Sequence, residues 1–179
     1  MILGLDISTS CTGWCILNEQ GDLDSMGFID LKNKKDLFSK ASVVKEALKK
    51  IKDTHEIKKI SIEENLQSFR SGFSSAQTLS TLARFNGIVS YLCFDEFEIQ
   101  PEFLNVNASR KKLGIKVIRE KICGITTKEQ ILNWVTLNLD SYEWPKKTLK
   151  SGPRKNQTII DPRSYDMADA YVIALACTK

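Results

Sequence analysis

Ile2-Leu3-Gly4-Leu5-Asp6-Ile7, with Ser8-Thr9-Ser10 after it and then Gly13-Trp14-Cys15-Ile16-Leu17, decides the fold. The first six residues are a short apolar run closed by a polar turn, the pattern of a buried strand. Gly13–Leu17 reads as a second strand, Asn18-Glu19-Gln20-Gly21-Asp22 as a turn, and Ser25 to Asp30 as a third strand. The chain therefore opens as a three-stranded antiparallel meander. One residue breaks the apolar pattern. Asp6 carries a charge where the strand should be wholly apolar, and a buried charge costs several kcal/mol unless it is paired or binds a metal.

Beyond the meander, residues 36–53 place Leu37, Val44, Leu48 and Ile51 among lysines at helical spacing, a single apolar stripe. Lys59-Ile60-Ser61-Ile62-Glu63 reads as a strand and 75–95 as a long helix, apolar on more than one face and the expected dimer surface. Phe103-Leu104-Asn105-Val106 reads as a short strand. A basic helix or loop follows at 108–121, then a helix from Thr127 to Leu139 with Thr127 as N-cap and Gln130 as its capping-box partner. Residues 141–163 hold Pro145, Gly152, Pro153 and Pro162 and read as a mobile basic loop. Ser164 to Cys177 closes the chain as a helix. A meander followed by alternating helices and strands predicts an α/β fold: a mixed sheet with helices on both faces, in a single domain spanning 1–179.

Glu63 repeats the anomaly of Asp6. It ends an apolar strand, at the carboxyl end where open α/β sheets gather their sites; strand parity leaves Glu63 and Glu64 as alternatives. Asp166 and Asp169 are three residues apart, on one face of a helix whose other residues are apolar or small. Each acid has an ordinary explanation taken singly, Asp166 above all as a first-turn acid favoured by the helix dipole. The set points to a metal site. Hard oxygen donors without imidazole or thiolate select Mg²⁺ or Mn²⁺, and two such ions about 4 Å apart activate a water and stabilise a leaving oxygen in phosphodiester cleavage.

Charge and cysteines bound the rest. The net charge is +4, from 26 basic and 22 acidic residues, with lysine and arginine gathered at 45–59, 110–121 and 146–155. That distribution suits a polyanionic partner. Five cysteines without a CxxC, and a lone histidine, His55, exclude a zinc set and fit a reducing compartment; Cys93 and Cys177 read as small core residues. No apolar run approaches the length of about 18 residues needed to span a bilayer, and the start lacks the charged region of a secretory signal. A cytoplasmic protein is expected.

At these acidic positions the sequence resembles the RuvC family of Holliday-junction resolvases, within the RNase H-like superfamily. Ile2-Leu3-Gly4-Leu5-Asp6 with Ser8 and Thr12-Gly13-Trp14 is similar to the family's first-strand motif, Ser61-Ile62-Glu63-Glu64 to its second acidic strand, and Asp166-Met167-Ala168-Asp169-Ala170 to its C-terminal DxxD motif. The resemblance implies a five-stranded mixed sheet, metal-dependent hydrolysis with two Mg²⁺ ions, and a homodimer that nicks opposed strands of a four-way DNA junction. By the same resemblance Asp6, Glu63, Asp166 and Asp169 match metal ligands, and Lys128, with Lys111 or Lys112, matches basic residues near the scissile phosphate; Arg110 extends that basic group. The family's junction-stacking aromatic has Leu66 in its nearest register here; Phe69 and Phe73, flanking Arg70, are the candidates instead. Other RNase H-like nucleases, acting on flaps, other branched DNA or RNA–DNA hybrids, share the same expectations, and a non-catalytic junction-binding module is a further alternative. A sugar-kinase or actin-type ATPase shares the Gly4–Thr9 loop but needs a second such domain.

Overall fold

The structure is a computed structural model that describes residues 1–64, 76–139 and 141–178. Strands β1 (Ile2–Ile7), β2 (Cys11–Leu17) and β3 (Leu23–Asp30) form the antiparallel meander. Helix α1 (Leu37–Thr54) crosses to β4 (Lys59–Glu63), parallel to β1; α2 (Ala76–Phe97) crosses to β5 (Glu102–Leu104), parallel to β4. The sheet order is β3-β2-β1-β4-β5. This is the five-stranded mixed sheet of the RNase H-like fold, flanked by helices on both faces. Helices α3 (Val106–Lys112), α4 (Glu120–Cys123), α5 (Thr127–Asn138) and α6 (Ser164–Thr178) complete the fold with a two-stranded hairpin, β6 (Lys146–Thr148) and β7 (Thr158–Ile160).

Strand alternation separates two cores. Leu3, Leu5 and Ile7 of β1, Ile16 of β2, and Ile60 and Ile62 of β4 pack with Val44, Leu48 and Ile51 of α1 and with Phe85, Val89 and Cys93 of α2. The opposite face of β2, with Cys15 and Leu17, packs on α6 and α5 through Met167, Ala170, Tyr171, Ile131 and Val135. On that face Gly4 and Gly13 let α6 approach closely. A Cβ on Gly13 would lie 2.0 Å from the carbonyl oxygen of Asp166, and one on Gly4 2.5 Å from that of Ala170. Helix α6 therefore lies almost on the backbone of β1 and β2.

Several local expectations are corrected. The cap of α5 is Thr126, not Thr127: its hydroxyl accepts from the Glu129 N–H, and the Glu129 carboxylate accepts from the Thr126 N–H. Gln130 instead ties down the preceding turn, donating to the carbonyls of Ile118 and Ile125 and accepting from the Ile118 N–H. Strand β5 stops at Leu104 because the Asn105 side chain caps α3, accepting from the N–H groups of Asn107 and Ala108. The 141–163 segment is not a structureless loop but carries the β6–β7 hairpin. Cys177 is half-buried, not a core residue, whereas Cys93 is fully buried. Among the described residues no helix is long and apolar enough to cross a membrane.

Candidate functional site

The same alternation aims the acids. Gly4 and Asp6 share the α6 face of β1; Ser61 and Glu63 share the α6 face of β4, where the Ser61 hydroxyl reaches the Ile173 carbonyl. Parallel pairing of β1 with β4 sets the two carboxyl ends side by side, so the Asp6 and Glu63 carboxyl groups are in hydrogen-bonding contact. Across from Asp6 in the antiparallel register is Gly13. Its bare backbone admits the first turns of α6, and with them Asp166 and Asp169. A hollow of about 530 Å³ opens there, lined by Asp6, Glu63, Asp166, Lys128 and Arg163 among others; Glu64 also lines it, while Asp169 lies buried beside it.

The electrostatics are those of crowded, desolvated acids. Burial holds Asp6 well above the ordinary carboxylate range, and the charges of Glu63, Asp169 and Asp166 raise it further. Burial pushes Glu63 up to about 7, with Asp169 adding to the shift and Arg110 opposing it. Asp169 is raised by burial against the pull of Arg110. Two cations answer the four acids. The Arg110 guanidinium donates to Asp169 Oδ1 at 3.0 Å, both side chains largely buried, and Lys128 Nζ lies 3.5 Å from Asp166 Oδ1. Burial alone would lower the Lys128 ammonium, but Asp166, Asp6 and Asp169 hold it above its ordinary value. Four carboxylates against two cations leave an excess of negative charge that a divalent cation would neutralise.

The donor set suits a hard cation: carboxylate oxygens from two strand ends and one helix, with no imidazole among them. Among the described residues, no three His, Cys, Asp or Glu side chains converge closely enough to enclose an ion as they stand. Asp166 and Asp169 are turned instead toward Lys128 and Arg110.

No family model and no curated protein matches the chain. Solved structures do. Thermus thermophilus RuvC in complex with a Holliday junction substrate superposes with a TM-score of 0.65 at 13% identity, covering 98% of this chain and 90% of that one. A second structure of T. thermophilus RuvC gives 0.58 at 15%, covering 98% and 91%. The chain has the RuvC fold. Ydc2, the yeast mitochondrial Holliday junction resolvase, gives 0.52 at 13%, covering 99% of this chain and 77% of its own.

On that fold the expected basic residues take different places. Lys128 is at the hollow. Arg110, expected as a DNA contact, is turned inward to Asp169, and its buried Nε has no partner among the described residues. Lys112 folds back to the Ala176 carbonyl at the end of α6 (3.0 Å), and Lys111 is exposed beside a separate small hollow. Leu66, Phe69, Arg70 and Phe73 lie outside the described residues. The sequence reading passed over Arg163. Its guanidinium clasps Asp161 through two donors, reaches Asp30 at the end of β3, and lies 4.1 Å above the Phe28 ring, while Arg163 itself lines the hollow. Cys11 also lines the hollow; burial and neighbouring Asp166 push its thiol far up, so it is a neutral S–H there. The only sequence sign of the clasp was Asp161-Pro162-Arg163, placed immediately before the acidic helix.

Proposed function

We propose that this protein is a metal-dependent endonuclease that nicks opposed strands of four-way DNA junctions as a homodimer. The observation that carries the reading is the gathering of Asp6, Glu63, Asp166 and Asp169 around one hollow of a RuvC fold. Those four carboxylates would hold two Mg²⁺ ions, or Mn²⁺ in their place, which would supply Lewis acidity for phosphodiester hydrolysis.

The chain's own residues do the rest. Asp6 and Glu63 are fixed by the strand backbone, so their carboxyl groups are preorganised. Asp166 is paired with Lys128 and Asp169 with Arg110, so holding a cation between these acids and the strand acids would require those two pairs to loosen. Lys128 lines the hollow, where its ammonium would face a bound phosphate. Arg163 stays clasped by Asp161 and Asp30 and shapes the rim. Phe69 or Phe73, which flank Arg70, is the candidate for the junction centre, and the family resemblance puts Lys111 or Lys112 near the scissile phosphate.

A nicking assay tests this on a synthetic four-way junction, a fork, a flap and an RNA–DNA hybrid, with Mg²⁺, Ca²⁺ or EDTA. Cleavage in Mg²⁺ that favours the junction is expected. Asp6→Asn should keep junction binding and lose cleavage. Unchanged cleavage by Asp6→Asn would refute the metal-site assignment, and equal cutting of all four substrates would refute junction specificity.

A further inference from the structure

The β6–β7 hairpin has a composition unlike the rest of the chain. From Lys146 to Ile160 there are five cations, Lys146, Lys147, Lys150, Arg154 and Lys155, and no acid. All five are exposed, and among the described residues none has an ion pair. Some lysines elsewhere are paired, Lys45 with Asp95, Lys58 with Glu19 and Lys59 with Glu102, but nowhere in 146–160 is there an acid to pair with. Five uncompensated positive charges on one short hairpin repel one another, a cost that a polyanion lying on them would reverse.

The hairpin is nevertheless ordered and anchored. Its strands pair Lys146 with Ile160 and Thr148 with Thr158, and beyond them the Leu149 N–H donates to the Gln157 carbonyl and the Asn156 N–H to the Leu149 carbonyl. The tip turns through Gly152 and Asn156, both in the left-handed region. At the root, buried Trp144 stacks edge-on with Tyr142 and donates to the Thr136 hydroxyl of α5. The Asp161 N–H donates to the Pro145 carbonyl (2.7 Å), and Asp161 is in turn clasped by Arg163. Chain direction then runs from β7 through Pro162 and Arg163, which line the carboxylate hollow, into α6. Lys147 is near enough to Asp161 to stabilise its charge. The hairpin is therefore a rigid basic arm rooted at the rim of the site.

We infer that the β6–β7 hairpin is a duplex-DNA contact that tracks the phosphate backbone of one arm of the substrate beside the carboxylate hollow. Five exposed lysine and arginine side chains with no exposed aromatic among them are suited to phosphate, the contact that positions a duplex without reading its base sequence. The inference rests on the proposed nuclease reading for the direction of the arm; backbone binding itself is measured apart from cleavage, so the two can fail separately.

The test is equilibrium binding in EDTA, as a function of salt, to a four-way junction and to a linear duplex of the same arm sequence. The variant replaces Lys146, Lys147, Lys150, Arg154 and Lys155 with Gln. A control replaces five lysines from the helix on the other face of the sheet and the turn after it, Lys45, Lys49, Lys50, Lys52 and Lys58, with Gln, giving the same net charge. Removing one phosphate interaction lowers the salt slope by about 0.9. The hairpin variant should drop by about two to four units of slope on both substrates, and its deficit should shrink as salt rises. The control should drop by less than about one. Thermal midpoints report that the fold is intact. A hairpin variant with the parent's slope, or with no larger drop than the control, overturns the inference. If the parent binds this way but never nicks a junction, the nuclease reading fails and the hairpin contact stands.

Discussion

Adding one methyl group at Gly13 should both destabilise and inactivate the protein, because the space it needs is filled by the backbone of α6. The Cβ of Gly13→Ala would lie 2.0 Å from the Asp166 carbonyl oxygen, 2.3 Å from the Asp166 carbonyl carbon and 2.8 Å from the Met167 nitrogen. None of these atoms can rotate away, so α6 must retreat by at least about 1 Å; overpacking of this kind costs about 1–3 kcal/mol, and three backbone atoms at once put it at the upper end. For a chain of this size about 3 kcal/mol lowers the thermal midpoint by about 6–12 °C. The same retreat moves Asp166 and Asp169 away from Asp6, and a misplacement of about 1 Å at a reacting centre costs about 100-fold in rate. Gly87→Ala is the internal control. Gly87 is in the middle of α2 with nothing within 4 Å of its Cβ position, so alanine should stabilise by about 0.5–1 kcal/mol through the unfolded chain. Differential scanning calorimetry in EDTA reads the first effect, and Mg²⁺-dependent nicking at a temperature where both variants are folded reads the second. A Gly13→Ala midpoint within a degree of the parent's, or below the parent's by no more than Gly87→Ala differs from it, would refute the close-approach argument.

Two further outcomes follow from the electrostatics. Glu63 is raised on folding from an ordinary 4.5 to about 7; an acid raised in this way favours the folded state while protonated. Metal-free stability should therefore fall as pH rises from about 4.5 through about 7, by about 3 kcal/mol, with Asp6 acting in the same direction. Glu63→Gln should flatten that fall, and Mg²⁺ should restore more stability at pH 8 than at pH 5, since it binds the deprotonated acids; denaturant melts that show the parent's pH slope in Glu63→Gln would contradict the assignment. Arg110→Met leaves Asp169 buried without its partner and should cost about 3 kcal/mol in metal-free urea melts, less with Mg²⁺ present; a variant as stable as the parent in EDTA would show that Arg110 does not hold Asp169.

The sheet was legible because its strands are short apolar runs between turn residues, and α1 because Val44, Leu48 and Ile51 recur at helical spacing. The acids were legible because each breaks an apolar pattern that burial enforces on its neighbours. Their partners were not. Arg110 and Asp169 are 59 residues apart and Arg163 and Asp30 are 133 apart; only the crossover order β3-β2-β1-β4-β5 brings them together, and no local pattern records it. The choice between Glu63 and Glu64 as the acid facing Asp6 likewise needed the register of β4 against β1, which puts Ser61 and Glu63 on the α6 side. The hairpin was hidden for a different reason. Its strands are three residues each, and Lys146–Thr148 lies exposed with no apolar face, so the alternation that betrays a strand is absent.

Burial of the acids and close packing of α6 are one requirement seen from two sides. An aspartate on β1 is strongly desolvated only if something covers it, and what covers Asp6 is a helix brought within backbone contact by Gly4 and Gly13. That contact places Asp166 and Asp169 at the same spot, where their charges raise Asp6 further. A looser packing, with α6 drawn back from β1 and β2, would forfeit close contacts, hydrate the acids, return them toward ordinary values and leave less for a cation to stabilise. The glycines thus hold the chain in a state that gains most from binding one. Lys128 and Arg110 limit the cost in its absence, each pairing with the helix acid nearest to it, and neither reaches Asp6 closely enough to neutralise it. Asp6 and Glu63 have no ion pair among the described residues and both are raised chiefly by burial, which makes these two strand acids the groups whose environment a divalent cation would change most.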